Sequence, residues 1–422
     1  MNEPIYEIRD VVYGFVQLDN QEWEIINHPV YQRLRRIKQL SLTDMAYPGA
    51  VHTRFEHSIG VLQMATDIYN SIISKERARA LLSSQYHLNN GGIDRYRKII
   101  RLAALLHDIG HTPFSHTGED LMPVKDQQTE KRYTHEEYSI AIIKKYFKDL
   151  IEEHPINANY QIKVEEVTAL LGDSTKCAFV GILLLFKDVI SGQLDADRAD
   201  YLLRDSIHTG VNYGLYDRNR LINCIDIGII PDSDALVIAI QDGGWHIAES
   251  LVLARYQMFS QVYFHKTRRA YDHHVTYAVK EILNSAYPQF DGCYPTPENL
   301  DAYVDLDDWS MYGKLKDGYG GPHGNIILER KHYRKIYETS LLPTSEEETK
   351  FEELKAELED KHAHFFVDEA KTKWYKLDKD ILICDEEHGY VRELSRISPI
   401  VRHMVDAPRM KRLYVEKQRR RL

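Results

Sequence analysis

Apolar positions along the first two thirds of this chain recur with the period of an α-helix. Ile59, Leu62, Ala65, Ile68, Tyr69 and Ile72 fall three and four residues apart, which draws one apolar stripe along a helix. Ile99 to Leu106 is apolar on nearly every face and predicts a central buried helix, ended by Gly110 with Pro113 beyond it. Thr134 and Glu137 have capping-box spacing ahead of Tyr138 and Ile140. Cys177 to Phe186 is the longest apolar run, about half of the ~20 residues that span a membrane, and reads as another buried helix. Ser250 to Val279 reads as one long helical tract, and Leu236–Ile240 and Ile381–Cys384 as short strands. The periodicity weakens from Pro288 to Gly324, which is rich in Gly, Pro, Asp and Tyr. Ser345 to His362 predicts a charged helix, with Ser345 and Glu348 at its start and Phe351, Leu354 and Leu358 as a narrow stripe laid on the body. The fold class expected is mainly α: a helical core over residues 1–285 and a smaller mixed α/β region over 286–422.

Composition alters this picture only in places. The 422 residues, 43% hydrophobic and 28% charged, suffice for a self-supporting core. With 54 basic and 64 acidic side chains the net charge is −10, which opposes general polyanion binding, so any anion site must be a local cluster. The four cysteines form no C-x-x-C pair, which fits a reducing compartment, and the N-terminal residues lack a signal-peptide pattern; a cytoplasmic protein without membrane contact is expected. The basic stretch Arg409 to Leu422 runs against the overall charge; a frayed tail is the plainer reading, a contact with single-stranded nucleic acid the other.

The chain has 20 histidines, and His52, His57, His87, His107, His111, His116 and His135 fall in one window. His87 lies in a polar stretch and reads as a surface residue. His107-Asp108 closes a nearly all-apolar helix, where an ionised carboxylate is costly unless a metal or a salt bridge compensates it. His116 and Glu119, three apart, share a face of a helical turn, so the carboxylate can orient the imidazole for proton transfer. Asp197, Tyr201 and Asp205 line one stripe of a helix, costly as core and better read as the wall of a site.

Taken in order, His57, His107-Asp108 and Asp197 resemble the H…HD…D signature of the HD phosphohydrolase superfamily. The surrounding text is similar to its deoxynucleoside triphosphate triphosphohydrolase branch, which holds the dGTPase-like enzymes and the sterile-alpha-motif/HD dNTPase. The matching text is Asp10-Val-Val-Tyr-Gly-Phe, the run from Arg33 to Leu40, Tyr47 to Val61, HDIGHTPFSH from His107 and DADRADYLLRD from Asp195. The match covers about residues 5–285.

That resemblance implies a helical HD core and a divalent metal (Mn, Mg or Fe, with Zn possible) held by His57, His107, Asp108 and Asp197. It implies release of inorganic triphosphate from a dNTP, leaving a deoxynucleoside. His116 with Glu119 resembles the catalytic pair, and His111 and His135 match imidazoles along the phosphate path. Arg54 matches a phosphate contact. Gln39, Tyr201 and Asp205 match sugar contacts, and Tyr271 resembles a residue beside the sugar or base. Nucleotide-activated members carry an allosteric site that Asn27, Gln32 and Arg35 match in part. Asn27 departs from it, because an Asp stands there in activated members to accept from guanine. Asp272 departs from an amide in one branch. Family members are homo-oligomers, with a tetramer favoured here. Two other readings compete: an HD phosphodiesterase acting on a cyclic or alarmone nucleotide, and a non-catalytic regulator binding nucleotide or nucleic acid.

Overall fold

Two long helices, Arg54–Ser74 and Asn90–Leu106, pack along each other, and a third, Ala196–Thr209, crosses the first. This computed structural model describes residues 5–173, 180–370, 380–404 and 409–416. The helices form because their apolar stripes meet: Ile59, Leu62, Ala65, Ile68, Tyr69 and Ile72 are all buried, as is every residue from Ile99 to Leu106. Gly60 sits where the first and third helices touch. A Cβ there would collide with the Asp200 carboxylate and the Arg204 guanidinium, so only glycine allows this approach. The helix after Thr134 is capped as expected and runs His135–Ile142.

The remaining elements wrap this core. An N-terminal hairpin pairs Tyr6–Asp10 with Gly14–Leu18. The expected strands at Leu236–Gln241 and Leu382–Cys384 form and pair in parallel; Ile225–Ile229 and Val391–Glu393 flank them antiparallel. A three-stranded antiparallel sheet has Lys411–Val415 at its centre, between Arg334–Glu338 and Phe365–Glu369.

Several expectations are corrected. Ser250 to Val279 is two helices, Trp245–Met258 and Lys266–Ala286, parted by a π-helical turn at Phe259–Tyr263. The break is made by His265, whose Nδ1 accepts from the Thr267 amide at 3.2 Å and so starts a new helix. The charged helix starts one residue early, capped by Thr344 with Glu347. Pro288 to Gly324 holds short packed helices, Leu300–Val304, Asp308–Lys316 and Gly321–Leu328. The basic stretch is not frayed where it is described: Arg412 and Tyr414 are buried in its strand, and residues 417–422 lie outside the described residues. Of the run Cys177 to Phe186, the helix is described from Val180. No helix among the described residues is long and apolar enough to cross a membrane.

Candidate metal centre and catalytic cleft

His57 lies in the first turn of the Arg54–Ser74 helix, where Glu56 accepts from the Thr53 amide at 2.9 Å and fixes the helix start. His107 and Asp108 follow directly on the buried helix. Asp197 lies in the first turn of Ala196–Thr209, whose cap Asp195 accepts from the Arg198 amide at 2.7 Å. Three separate helix ends thus deliver these four residues to one point. His57 Nε2 is 3.1 Å from Asp197 Oδ1 and 3.5 Å from Asp108 Oδ2. His107 Nε2 is 3.3 Å from Asp108 Oδ1 and 3.9 Å from Asp197 Oδ1.

The tautomers follow from the other ring nitrogen. His57 Nδ1 bonds Asp200 Oδ2 at 2.8 Å, and His107 Nδ1 bonds the Ala104 carbonyl at 2.8 Å. Both acceptors require an N–H, so each Nε2 is left facing the carboxylates, and both Nε2 atoms are buried without a hydrogen-bond partner. A carboxylate or carbonyl behind each imidazole is the arrangement found behind metal-bound histidine. Burial opposes a charge on His57, but Asp197, Asp200 and Asp108 outweigh it and raise its pKa to about 10. Asp108 is also buried, and Arg54, His107 and His111 hold it well below the usual carboxylate range. His57, His107 and Asp108 bring their ligand atoms close enough to hold one metal ion, and with Asp197 beside them the mixed N/O donor set would fit a divalent metal.

Asp200 is itself gripped. Arg204 donates to its two oxygens at 2.8 and 2.9 Å and to Asp10 Oδ2 at 2.8 Å. Asp10 closes the hairpin turn by accepting from the Val12 and Tyr13 amides. His57 is thus braced through two carboxylates and a guanidinium back to the N-terminal hairpin.

Beside this centre lies a second cluster. Glu119 Oε1 accepts from His116 Nδ1 at 2.9 Å and from His135 Nδ1 at 2.7 Å, and His111 stacks on His135 at 3.9 Å. Burial would raise the Glu119 pKa, but the two imidazoles hold it far below the usual range. His111 Nε2 lies 3.2 Å from Asp108 Oδ1, which joins the two clusters. Burial, with Arg54 and His135 nearby, keeps His111 uncharged. His116 is 60% exposed, and Glu119 fixes its Nδ1. Gly110 brings His135 in: a Cβ there would strike the His135 carbonyl and the Ser139 amide. Arg54 donates to Ser115 Oγ at 3.0 Å and pairs with Asp108. Phe114 and Ser115 both take left-handed φ, 61° and 54°, at about 1–3 kcal/mol each.

Of the residues expected as sugar contacts, the structure brings only some together. Asp205 Oδ1 bonds His52 Nε2 at 2.7 Å, and its Oδ2 accepts from the Tyr263 hydroxyl at 2.6 Å. Tyr201 meets Tyr263 edge-on, with ring centroids 6.1 Å apart. The Gln39 amide joins this group only through its backbone, bonding the His52 carbonyl, and its side-chain oxygen is buried with no partner. Tyr271 packs on the His332 ring instead, and among the described residues it makes no ring contact with Tyr201 or Tyr263. Asn27, Gln32 and Arg35 are at the surface: Asn27 caps the Trp23 carbonyl, while Gln32 accepts from Arg35, whose guanidinium lies 3.5 Å over the Phe55 ring. Arg35 lines an open cleft of about 620 Å³ with Arg36, Lys38 and Lys316.

Sequence reasoning missed Asp200, Arg204, His52 and Tyr263. The i,i+4 spacing of Asp200 and Arg204 was a usable signal; Tyr263 had none beyond its place in a π-turn. Not every histidine belongs to chemistry. His28, His154 and His265 each cap a helical turn through Nδ1. His273, His274 and His323 also cluster, but hydrogen bonding accounts for His274: its Nε2 accepts from the Tyr333 amide, so its Nδ1–H points at His323 Nδ1, 2.9 Å away.

Comparison with known proteins agrees with this geometry. Residues 54–204 match the model of the HD domain, and residues 216–415 match that of the HD associated region. An uncharacterized protein of Methanocaldococcus jannaschii is 37% identical over 78% of this chain and 58% of its own length. The human deoxynucleoside triphosphate triphosphohydrolase SAMHD1 is 27% identical over 76% of this chain and 50% of its own length. The chain thus spans less than two thirds of either relative. A hypothetical protein from Aquifex aeolicus has the same fold, with TM-score 0.76 and 26% identity over 98% of this chain and 97% of its own. Two family models in tandem, over a centre built from the H…HD…D residues, show that this chain carries an HD domain followed by an HD associated region.

Proposed function

We propose that this protein hydrolyses deoxynucleoside triphosphates, releasing a deoxynucleoside and inorganic triphosphate. One observation carries the reading: His57 and His107 each commit Nδ1 to an acceptor and leave Nε2 facing Asp108 and Asp197. In this reading those four residues hold Mn²⁺, Fe²⁺ or Mg²⁺, with Zn²⁺ as the less suited choice for a mixed N/O set. Such a metal, when bound, supplies Lewis-acid polarisation of a phosphate oxygen and lowers the pKa of water.

The chain's own residues do the rest. Arg54 offers a guanidinium to phosphate, with Ser115 holding its Nε in place. His111 and His135 line the phosphate path. Water adds to the α-phosphorus, the bond to the 5′-oxygen breaks, and that oxygen needs a proton. His116 would supply it, since Glu119 fixes its Nδ1 and the imidazole is otherwise exposed. Tyr201, edge-on to Tyr263, would pack under C2′ of the deoxyribose and reject a 2′-hydroxyl sterically. Asp205 accepts from the 3′-hydroxyl, with His52 and Tyr263 setting its orientation. Gln39 offers its unpaired oxygen to the same sugar, and Tyr271 stands beside the sugar or base by the motif resemblance alone. Activation by a second nucleotide at Asn27, Gln32 and Arg35, and assembly into a homotetramer, belong to the same reading and rest on the motif resemblance in the sequence.

The test is a hydrolysis panel with Mn²⁺: each dNTP alone, then in pairs. Inorganic triphosphate is the expected product, and activity that appears only in pairs establishes activation. His107→Ala and Asp197→Ala are expected to abolish it while the far-UV circular dichroism spectrum stays unchanged. Release of mono- or diphosphate from a cyclic or alarmone nucleotide alone would replace this reading with a phosphodiesterase. A metal-free protein that binds nucleic acid and turns over nothing would replace it with a regulator.

A further inference from the structure

Asp308 opens the Asp308–Lys316 helix but does no work for it. Its neighbour Asp307 is the cap: Asp307 Oδ1 accepts from the Ser310 amide at 2.8 Å, and its other oxygen pairs with Arg36. Asp308 is 2% exposed, and both its oxygens leave the helix. Oδ1 accepts from the Phe114 amide at 2.7 Å, and Oδ2 from the Lys38 amide at 2.9 Å. A buried carboxylate is costly, and a helix start already capped has no need of a second one.

The two amides belong to separate segments of the chain. Phe114 lies two residues before His116, and Lys38 directly precedes Gln39. A further bond joins the two segments: Ser115 Oγ donates to the Lys38 carbonyl at 2.7 Å. Asp308, Phe114, Ser115 and Lys38 thus form a closed ring of hydrogen bonds. Phe114 and Ser115 hold left-handed φ, which side-chain-bearing residues rarely adopt, and the ring supplies the fixed acceptor that such a turn needs. The turn sets where His116 begins.

We propose that Asp308 is a positioning residue for His116: its carboxylate holds the Phe114–Ser115 turn against the Lys38 segment and so fixes the imidazole over the cleft. The role assigned to His116 rests on the functional reading above; the hydrogen-bond ring does not.

The experiment uses the full chain loaded with Mn²⁺. Asp308→Asn turns an amide nitrogen toward one of the two N–H donors and breaks that bond. Hydrogen exchange in peptides covering Phe114 and Lys38 is expected to accelerate at least ~10-fold, because a lost bond releases local protection. On the substrate that the wild type hydrolyses best, kcat is expected to fall ~10- to 100-fold, with KM within ~3-fold and metal content unchanged. Asp308→Glu keeps the charge and moves the acceptor by one methylene. A positioning role leaves kcat low in this variant, whereas recovery to the wild-type kcat would reduce Asp308 to a buried charge and overturn the proposal. Asp317→Asn, an exposed carboxylate just past the end of the same helix, is expected to change neither readout. Unaltered exchange in Asp308→Asn overturns the proposal, as does faster exchange with kcat intact. Should Asp308→Asn fail to fold, Asp308→Glu decides through the same two readouts. A wild type that releases no triphosphate from any dNTP ends the functional reading, while the exchange measurement still decides the ring.

Discussion

Asp200 reaches no open part of the cleft, yet it determines what His57 can bind. Its Oδ2 holds the His57 Nδ1 proton at 2.8 Å and so keeps Nε2 directed at Asp108 and Asp197. Asp200→Asn retains an oxygen to accept that proton but loses the charge. Affinity for the metal is expected to fall about 10- to 100-fold, read by titrating Mn²⁺ into chelator-treated protein. Stability falls as well, by roughly 3 kcal/mol, because Arg204 is wholly buried and loses one of its two carboxylates. Asp10→Asn separates the effects: it strips the other carboxylate from Arg204 but leaves the His57 bond alone, so it should lower the melting temperature without matching loss of metal affinity. Equal losses in both variants would show that Asp200 acts only through general stability. The candidate ligands were legible in the sequence because each stands in a short motif at a helix end. Asp200 stood in one of those motifs and was still passed over, since its partner His57 is 143 residues away. Tyr263 and His52 were hidden for the same reason: what matters is their common acceptor, Asp205, and a single sequence does not display such pairings.

At the scale of elements, the helices could be read and the joints could not. Apolar period places the central helices well, because their burial depends on side chains of one segment. Whether Ser250 to Val279 is one helix or two depends on His265 acting as a cap, and nothing in the spacing marks that. Lys411 to Val415 reads as a basic tail because Lys and Arg are expected in water; its burial depends on two distant strands and on Glu338 and Asp368, which meet Arg412. Charged residues inside an element can also set its pH response, as at the Asn20–Asn27 helix. Glu22 there is wholly buried and accepts from Arg101 at 2.7 and 2.6 Å and from Lys98 at 3.1 Å. Burial would raise its pKa, but Lys98 and Arg101 outweigh burial and lower it from 4.5 to about 2. A depressed carboxylate stabilises the fold above its unfolded pKa and loses that contribution as pH falls through the folded value. Glu22 therefore contributes roughly 3 kcal/mol at neutral pH that disappears between pH 4.5 and about 2. In urea unfolding across this window, Glu22→Gln should start about 3–5 kcal/mol less stable at pH 7 and show a correspondingly shallower loss on acidification. An acid-induced loss as steep as that of the wild type would place the titrating group elsewhere.

Over the whole molecule, the turn from His107 to Ser115 leans on residues far along the chain. Tyr303 donates to the Gly110 carbonyl at 2.6 Å, and Asp308 receives the Phe114 amide. Between them lies Arg33, 1% exposed, which donates to the Leu306 carbonyl at 2.7 Å, the His111 carbonyl at 2.8 Å and, more weakly, the Ile109 carbonyl at 3.4 Å. Burial lowers the pKa of this guanidinium, and five N–H groups in a fixed fork let it satisfy several backbone acceptors at once. It binds the HD turn to the 303–308 segment, so the matched HD domain and the HD associated region share one interior. Arg33→Met keeps a similar length of apolar stem and removes every donor. The orphaned carbonyls of Leu306 and His111 should cost roughly 2–4 kcal/mol, measured by urea unfolding. The loss should not stay local. His111 and Ile109 flank Gly110, where His135 is packed, so the variant should also bind Mn²⁺ more weakly and show faster hydrogen exchange from residue 107 to 116. Arg33→Lys is expected to recover little of this, because an ammonium cannot span carbonyls on both segments. If Arg33→Met lowers stability but leaves metal affinity and exchange near His107 unchanged, the C-terminal region supports the fold without shaping the centre.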